Sequence, residues 1–256
     1  MKARILVAGM ALFLAACAVQ EFPNERKVDV AAGARDRVAI AAEYLQKGEN
    51  ERALLHLRKA IELDPKSSEA HNMMAILLER ESDPKGAEKH YRKAISLREE
   101  YSQAHNNYGV FLFKRGDYHA AASHLEKAAV DISYQMRASA FEGLGRAAIK
   151  LGEKERAENA FLRALKIDPG LSVAAFELAD MNFEKQELMA ARAYYQRFLK
   201  QLGSQPQTAR SLWLGIRIER RLGDRNALAS YELALKRLYP DSPEYKAYTA
   251  SQDAGR

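Results

Sequence analysis

Residues 34–67 read ARDRVAIAAEYLQKGENERALLHLRKAIELDPKS, and this stretch decides the fold. Its skeleton is Ala41, then Ala53 twelve residues on, then Leu57, Ala60 and Pro65. The skeleton returns down the chain. The first small residue recurs as Ala41, Ala75, Gly109, Gly145, Ala179 and Gly215. The second recurs as Ala53, Ala87, Ala121, Ala157, Ala191 and Ala227, and the bulky one as Leu57, Tyr91, Leu125, Phe161, Tyr195 and Tyr231. A third small position reads Ala60, Ala94, Ala128, Ala164, then Phe198, then Ala234. Every column moves by 34, 34, 36, 34 and 36 residues. Chance does not shift several columns together, so the chain holds six copies of one unit.

Within each copy, apolar residues recur at helical spacing on both sides of a short turn, so each unit is a pair of helices. The turns are Lys47-Gly48-Glu49, Arg115-Gly116-Asp117 and Leu151-Gly152-Glu153, where glycine can take the left-handed backbone that ends a helix. In the second copy Asp83-Pro84 supplies a cap and a first-turn proline. The small residues let paired helices approach, and the bulky residue fills the space between them. Pro65 and Pro169 stop the second helix of their units. One pair cannot bury its apolar face alone, so neighbours must stack.

These columns resemble the tetratricopeptide repeat (TPR), whose pattern has a large residue, a Leu-Gly/Ala pair, an aromatic, an Ala, an aromatic, an Ala and a Pro. The fourth unit carries Phe141, Leu144-Gly145, Ala157, Phe161, Ala164 and Pro169; the first carries Ile40-Ala41, Tyr44, Ala53, Leu57, Ala60 and Pro65. The resemblance implies an all-α, right-handed α-solenoid of six TPR pairs over 34–240, divided 34–67, 68–101, 102–137, 138–171, 172–207 and 208–240. The sequence departs from the pattern in places. His71 and His105 stand where a tryptophan is usual. The closing proline is missing from units two, three and five. Phe198 replaces an alanine, so the contact between units five and six is expected to splay. Ser67 and Ser68 are candidate caps at the first junction. Extra residues within 131–137 and around 204–207 are candidate changes in superhelical pitch. After Pro240-Asp241-Ser242-Pro243, Glu244 to Ala250 reads as a short C-terminal capping helix within 241–256, and Ser251 to Arg256 as a loose tail.

The N-terminus carries the second message. Lys2 and Arg4 precede an apolar run from Ile5 to Ala16, too short for a permanent span, which needs about 20 residues. It reads as a secretory signal peptide over 1–16. Its end, Leu14-Ala15-Ala16-Cys17, is similar to a bacterial lipobox, and that resemblance implies a diacylglycerol and an N-acyl chain (palmitate-like) on Cys17. Cys17 is the only cysteine, so no disulfide framework competes for it. One acyl chain anchors marginally and several anchor stably. Ala18, where the lipoprotein family uses Asp for inner-membrane retention, favours the periplasmic face of the outer membrane. Residues 17–33 read as an acylated tether reaching at most roughly 50 Å from the bilayer.

The formal net charge is +6, and +4 without Lys2 and Arg4. Glutamates are interleaved throughout, so the surface reads as solvated and no nucleic-acid partner is expected. Gly143-Leu144-Gly145-Arg146-Ala147-Ala148 matches a dinucleotide fingerprint only in letters, because it falls inside a helix. The histidines form no metal motif, although His71 and His105, one repeat apart, are expected as neighbours. No nucleophile elbow or P-loop occurs. No catalytic residue, metal ligand or cofactor is therefore expected, and an enzyme of unrecognised type is a remote rival.

What remains is a surface. In TPR proteins the first helix of each pair lines the concave side, and the family's offsets place the fifth, ninth and twelfth residues of each unit there. The expected groove comprises Val38, Leu45, Asn72, Ile76, Asn106, Asn107, Val110, Phe113, Ile149, Phe176 and Phe183. The larger apolar members from Ile76 onward are expected to be partly exposed, and the asparagines to bind peptide backbone. Lipobox, tether and six units in this order, with Asn106-Asn107-Tyr108-Gly109-Val110-Phe111-Leu112, are similar to the PilF/PilW family of type IV pilus biogenesis lipoproteins. That resemblance implies a non-enzymatic pilotin, monomeric alone. It would be delivered by the lipoprotein-sorting machinery and bind the secretin subunit through its groove, promoting outer-membrane localisation and multimer assembly. The alternative is another lipid-anchored TPR scaffold, for outer-membrane protein assembly or cell-wall synthesis.

Overall fold

A computed structural model describes residues 29–253 of the chain. The expected signal peptide, Cys17, the tether up to residue 28 and the last three residues of the tail lie outside the described residues. The described chain is all-α. Six helix pairs follow in order: α1 (Val30–Gln46) with α2 (Asn50–Leu63), α3 (Ser68–Arg80) with α4 (Pro84–Leu97), and α5 (Ser102–Lys114) with α6 (Tyr118–Val130). Then come α7 (Arg137–Leu151) with α8 (Lys154–Ile167), α9 (Ser172–Glu184) with α10 (Leu188–Leu202), and α11 (Ala209–Leu222) with α12 (Arg225–Leu238). A thirteenth helix, α13 (Pro243–Asp253), closes the array.

Helix α1 starts earlier than the sequence suggests. Asp29 caps it by accepting from the Ala32 amide at 2.9 Å, so residues 30–33 are helix and not tether. At the other end α13 runs through 251–253, which were expected to be loose. Ser67 caps α3 through the Ala70 amide at 3.1 Å, and Asp83 caps α4 with Pro84 in its first turn.

The repeating columns are the core. The first two small columns are fully buried from units one to five wherever they hold alanine, and Leu57, Tyr91, Leu125, Phe161 and Tyr195 lie beneath them. The fit is close. A methyl group on Gly145 would sit 2.6 Å from the Phe161 ring, and one on Gly215 would sit 2.5 Å from the Tyr195 hydroxyl. The intra-pair turns need a positive φ. Gly48, Gly116 and Gly152 supply it, and Ser82 and Gln186 adopt it at the same repeat position.

Unit six does not splay from unit five. Phe198 lies against Phe176 and Tyr195, with ring centroids 5.2 and 5.8 Å apart. Leu214 and Ile218 close over this group, and the Tyr195 hydroxyl donates to the Ser211 carbonyl at 2.8 Å. Beyond α12, α13 covers Leu212, Trp213, Ile216 and Leu235 with Tyr245 and Tyr248.

Candidate functional site

The first helices touch one another in succession, α1 to α3 and onward to α9 and α11, so they crowd the inner side of the stack. The predicted groove residues all lie on these helices, but they do not share one environment. The ninth position is the open one. Val110 is 38% exposed and Ile76 half-buried. At the twelfth position Ile149 is 38% exposed, Phe113 and Phe183 are half-buried, and Leu45 is buried.

The fifth position departs most from expectation, because Asn72, Glu142 and Phe176 there face the next unit's first helix and not the groove, while Asn106 lines a recess between α3 and α5. Asn72 is buried and accepts from the Asn107 side chain at 3.2 Å. Glu142 reaches across to accept from the Ala174 amide at 3.2 Å, capping α9, whose own cap residue Leu171 makes no side-chain bond. Burial holds the Glu142 carboxyl above its ordinary range, opposed by that same amide bond. Phe176, expected to be exposed, is buried and lies under Arg210 of unit six. Val38 is half-buried against the first-unit core. Leu45, Asn72 and Phe176 are therefore structural, not open groove lining.

Two recesses lie along these first helices. The first, about 530 Å³, lies between α3 and α5 and is lined by Ile76, Glu79, Arg80, Tyr91, Asn106, Asn107, Val110 and Lys114. Asn106 donates weakly to Asn107 at 3.5 Å, while its own carbonyl oxygen is buried without a partner. Glu79 accepts from Lys114 at 2.7 Å and from the Tyr91 hydroxyl at 3.1 Å. Burial, with the Glu79 charge beside it, pushes the Tyr91 phenol far up, so it keeps its proton and donates it to Glu79. The second recess, about 280 Å³, has Ile149 and Met181 as its apolar floor and Lys154, Glu177, Asp180, Glu184, Lys185 and Arg210 around it.

Arginines cover the groove's phenyl rings. Arg146 lies 4.9 Å from the Phe113 centroid, Arg210 4.6 Å from Phe176 and Arg217 4.6 Å from Phe183. Arg210 grips Glu177 through two bonds of 2.7 and 2.9 Å and also reaches Asp180. Arg217 bridges Asp180 and Glu184 at 2.8 and 3.0 Å. These bonds to Glu177 raise the hold of Arg210 on its proton, so it stays charged. Sequence reasoning missed Arg210, Arg217, Lys114 and Met181. For Arg210 and Arg217 the one available cue was their place 34 residues after Phe176 and Phe183, the offset at which cross-unit pairs form.

His71 and His105 do not pair with each other; each meets a histidine of its own unit, His90 and His124. Among the described residues no group of three or more His, Cys, Asp and Glu is arranged to hold a metal ion, and no helix is long and apolar enough to cross a membrane.

Known proteins agree with this architecture. A TPR repeat profile matches residues 41–81, and a tetratricopeptide repeat profile matches 72–136, 133–172 and 142–207. The type IV pilus assembly protein PilF of Pseudomonas aeruginosa is 37% identical over 249 residues, covering 96% of this chain and 98% of that protein. The solved structure of P. aeruginosa PilF superposes with a TM-score of 0.81 at 36% identity, covering 87% of this chain and 99% of the other. The crystal structure of PilW, described as a widely conserved type IV pilus biogenesis factor, gives 0.68 at 25% identity, covering 84% and 98%.

Proposed function

Because the chain belongs to the type IV pilus assembly PilF family of tetratricopeptide-repeat proteins, we propose that it is a non-enzymatic pilotin. Acyl chains on Cys17 tether it to the periplasmic face of the outer membrane after delivery by the lipoprotein-sorting machinery. Its inner face binds the secretin subunit and promotes secretin localisation and multimer assembly. The observation that carries the binding part is the first recess. Ile76 and the open Val110 share that recess with the polar side chains of Glu79, Asn106, Asn107 and Lys114. An extended segment lays an apolar side chain over Val110 while its backbone bonds to the polar rim of the recess.

The test has two arms in the intact cell envelope. Val110→Glu with Ile149→Glu places charges on open surface, so helicity stays and crosslinking to secretin falls at least roughly tenfold, as expected for loss of buried apolar anchors. Cys17→Ser moves the chain out of the membrane fraction and lowers the multimeric secretin. Full crosslinking by the groove variant refutes the groove. Membrane retention and normal multimers with Cys17→Ser refute the anchor. Recovery of barrel-assembly or cell-wall enzymes in place of secretin supports the other lipid-anchored scaffold.

A further inference from the structure

Units two and three carry a feature that partner binding does not use. The Nδ1 atoms of His71 on α3 and His90 on α4 are 2.9 Å apart, and those of His105 on α5 and His124 on α6 are 2.8 Å apart. The two pairs occupy the same repeat positions, 34 residues apart. The ring centroids lie 5.1 and 5.0 Å apart, about 2.2 Å beyond the nitrogen separations, so the nitrogens point at each other nearly in line. That is the geometry of a shared proton. A metal held by both rings would need their lone pairs to converge on a point off this line, and among the described residues no third ligand stands with either pair.

The tautomers follow from the outer contacts. His71 Nε2 is 3.3 Å from the Pro65 carbonyl and His105 Nε2 is 2.8 Å from the Glu99 carbonyl. A carbonyl only accepts, so these Nε2 atoms carry protons. His71 and His105 therefore accept at Nδ1, His90 and His124 donate from Nδ1, and the outer rings keep a bare Nε2. In unit one the same positions hold Arg37 and His56, 3.5 Å apart, and in unit four they hold Phe141 and Ala160. Paired rings thus occur in the two units that carry Asn72, Asn106 and Asn107.

We propose that His71–His90 and His105–His124 are twin proton-operated latches, which fasten the helix pairs of units two and three while neutral and release them in acid. The first added proton goes to the bare Nε2 of His90 or His124, and the Nδ1–H donor survives. The second must go to Nδ1 of His71 or His105, which is the acceptor of the bond. The bond is then lost and two imidazolium ions face each other. Charges stand on several sides: Asp64, Asp83, Lys89 and Lys93 around the first pair, and Glu100, Asp117, Arg92 and Lys127 around the second. Tyr108, 4.7 Å from the His124 ring, is itself tied to Arg92 and Glu88.

Burial, then the neighbouring ring, holds His90 and His124 down to about 4, and burial also lowers His71 and His105. A folded value below the unfolded one makes the neutral pair stabilising above the unfolded value of 6.5. That contribution is lost as pH falls from there toward about 4. The latch stands on ring geometry alone; its control over partner binding rests on the groove reading, since α3 and α5 carry that recess.

The full chain is titrated from pH 8 to 4 while imidazole nitrogen-proton correlations and amide hydrogen exchange are recorded. At pH 7.5, Nε2–H is expected on His71 and His105, and Nδ1–H on His90 and His124. After correction for intrinsic rates, exchange in α3–α6 should rise below pH 6.5 by roughly tenfold per pH unit for each proton taken up on opening, with α9–α12 unchanged. His90→Gln with His124→Gln keeps an amide donor and flattens that rise. Opposite tautomers, midpoints near 6.5 for all four rings, or an unaltered acid profile in the double variant would overturn the latch. If the variant does not fold, the wild-type tautomers and midpoints decide alone. None of these readouts involves a partner, so failure of the groove reading leaves them intact.

Discussion

Gly145 shows how little slack a packed column leaves. Its missing side chain is matched to the Phe161 ring, which is fully buried and cannot retreat. Gly145→Ala is expected to cost about 1–3 kcal/mol, the usual range for overpacking, read as a lower urea midpoint at constant slope. Such columns were legible in the sequence because small and bulky residues recur in phase. The direction of the fifth position was not. Periodicity gives the helix face but not which neighbour that face meets, and this depends on how each unit is rotated on the last. Asn72 and Phe176 accordingly turned out to be joints between units. His71 and His105 share a column, which makes them neighbours across units but says nothing of what each ring bonds to. The helix turn brings each nearer to the residue nineteen positions on, within its own pair.

At the scale of elements, the two halves of the inner face are held differently. Between α3 and α5 an asparagine pair and the Glu79–Lys114 ion pair flank an open recess. Between α9 and α11 the contact is a lattice of arginines and carboxylates laid over phenyl rings. The sequence predicts exposed phenylalanines because the covering guanidinium groups come from the following unit. Each exposed ion pair contributes about 0.2–1 kcal/mol and each cation–π contact about 0.5–1 kcal/mol. Arg210→Ala is therefore expected to lower stability by about 1–2 kcal/mol in dilute salt, with a smaller difference in 1 M salt, where charges are screened within about 3 Å. Unfolding curves at both ionic strengths check this. Equal losses at both would mean that packing on Phe176, and not charge, does the holding.

For the whole molecule, the core is a ribbon passed from unit to unit, so its ends matter more than its centre. Helix α13 covers Leu212 and Ile216, the fifth and ninth positions of unit six. In units two, four and five the fifth position meets the next first helix, so α13 stands where a seventh would dock. Truncation after Tyr239 is expected to bare this surface, speed hydrogen exchange in α11 and α12 and leave α3–α6 protected, because coupling passes only between neighbours. Unchanged exchange in α11 would show that α13 is dispensable. The same helix has a consequence for assembly. A head-to-tail fibre needs an adhesive surface at both of its ends, and here the trailing one is already occupied. Copies gathered at high density would thus not join end to end through this helix.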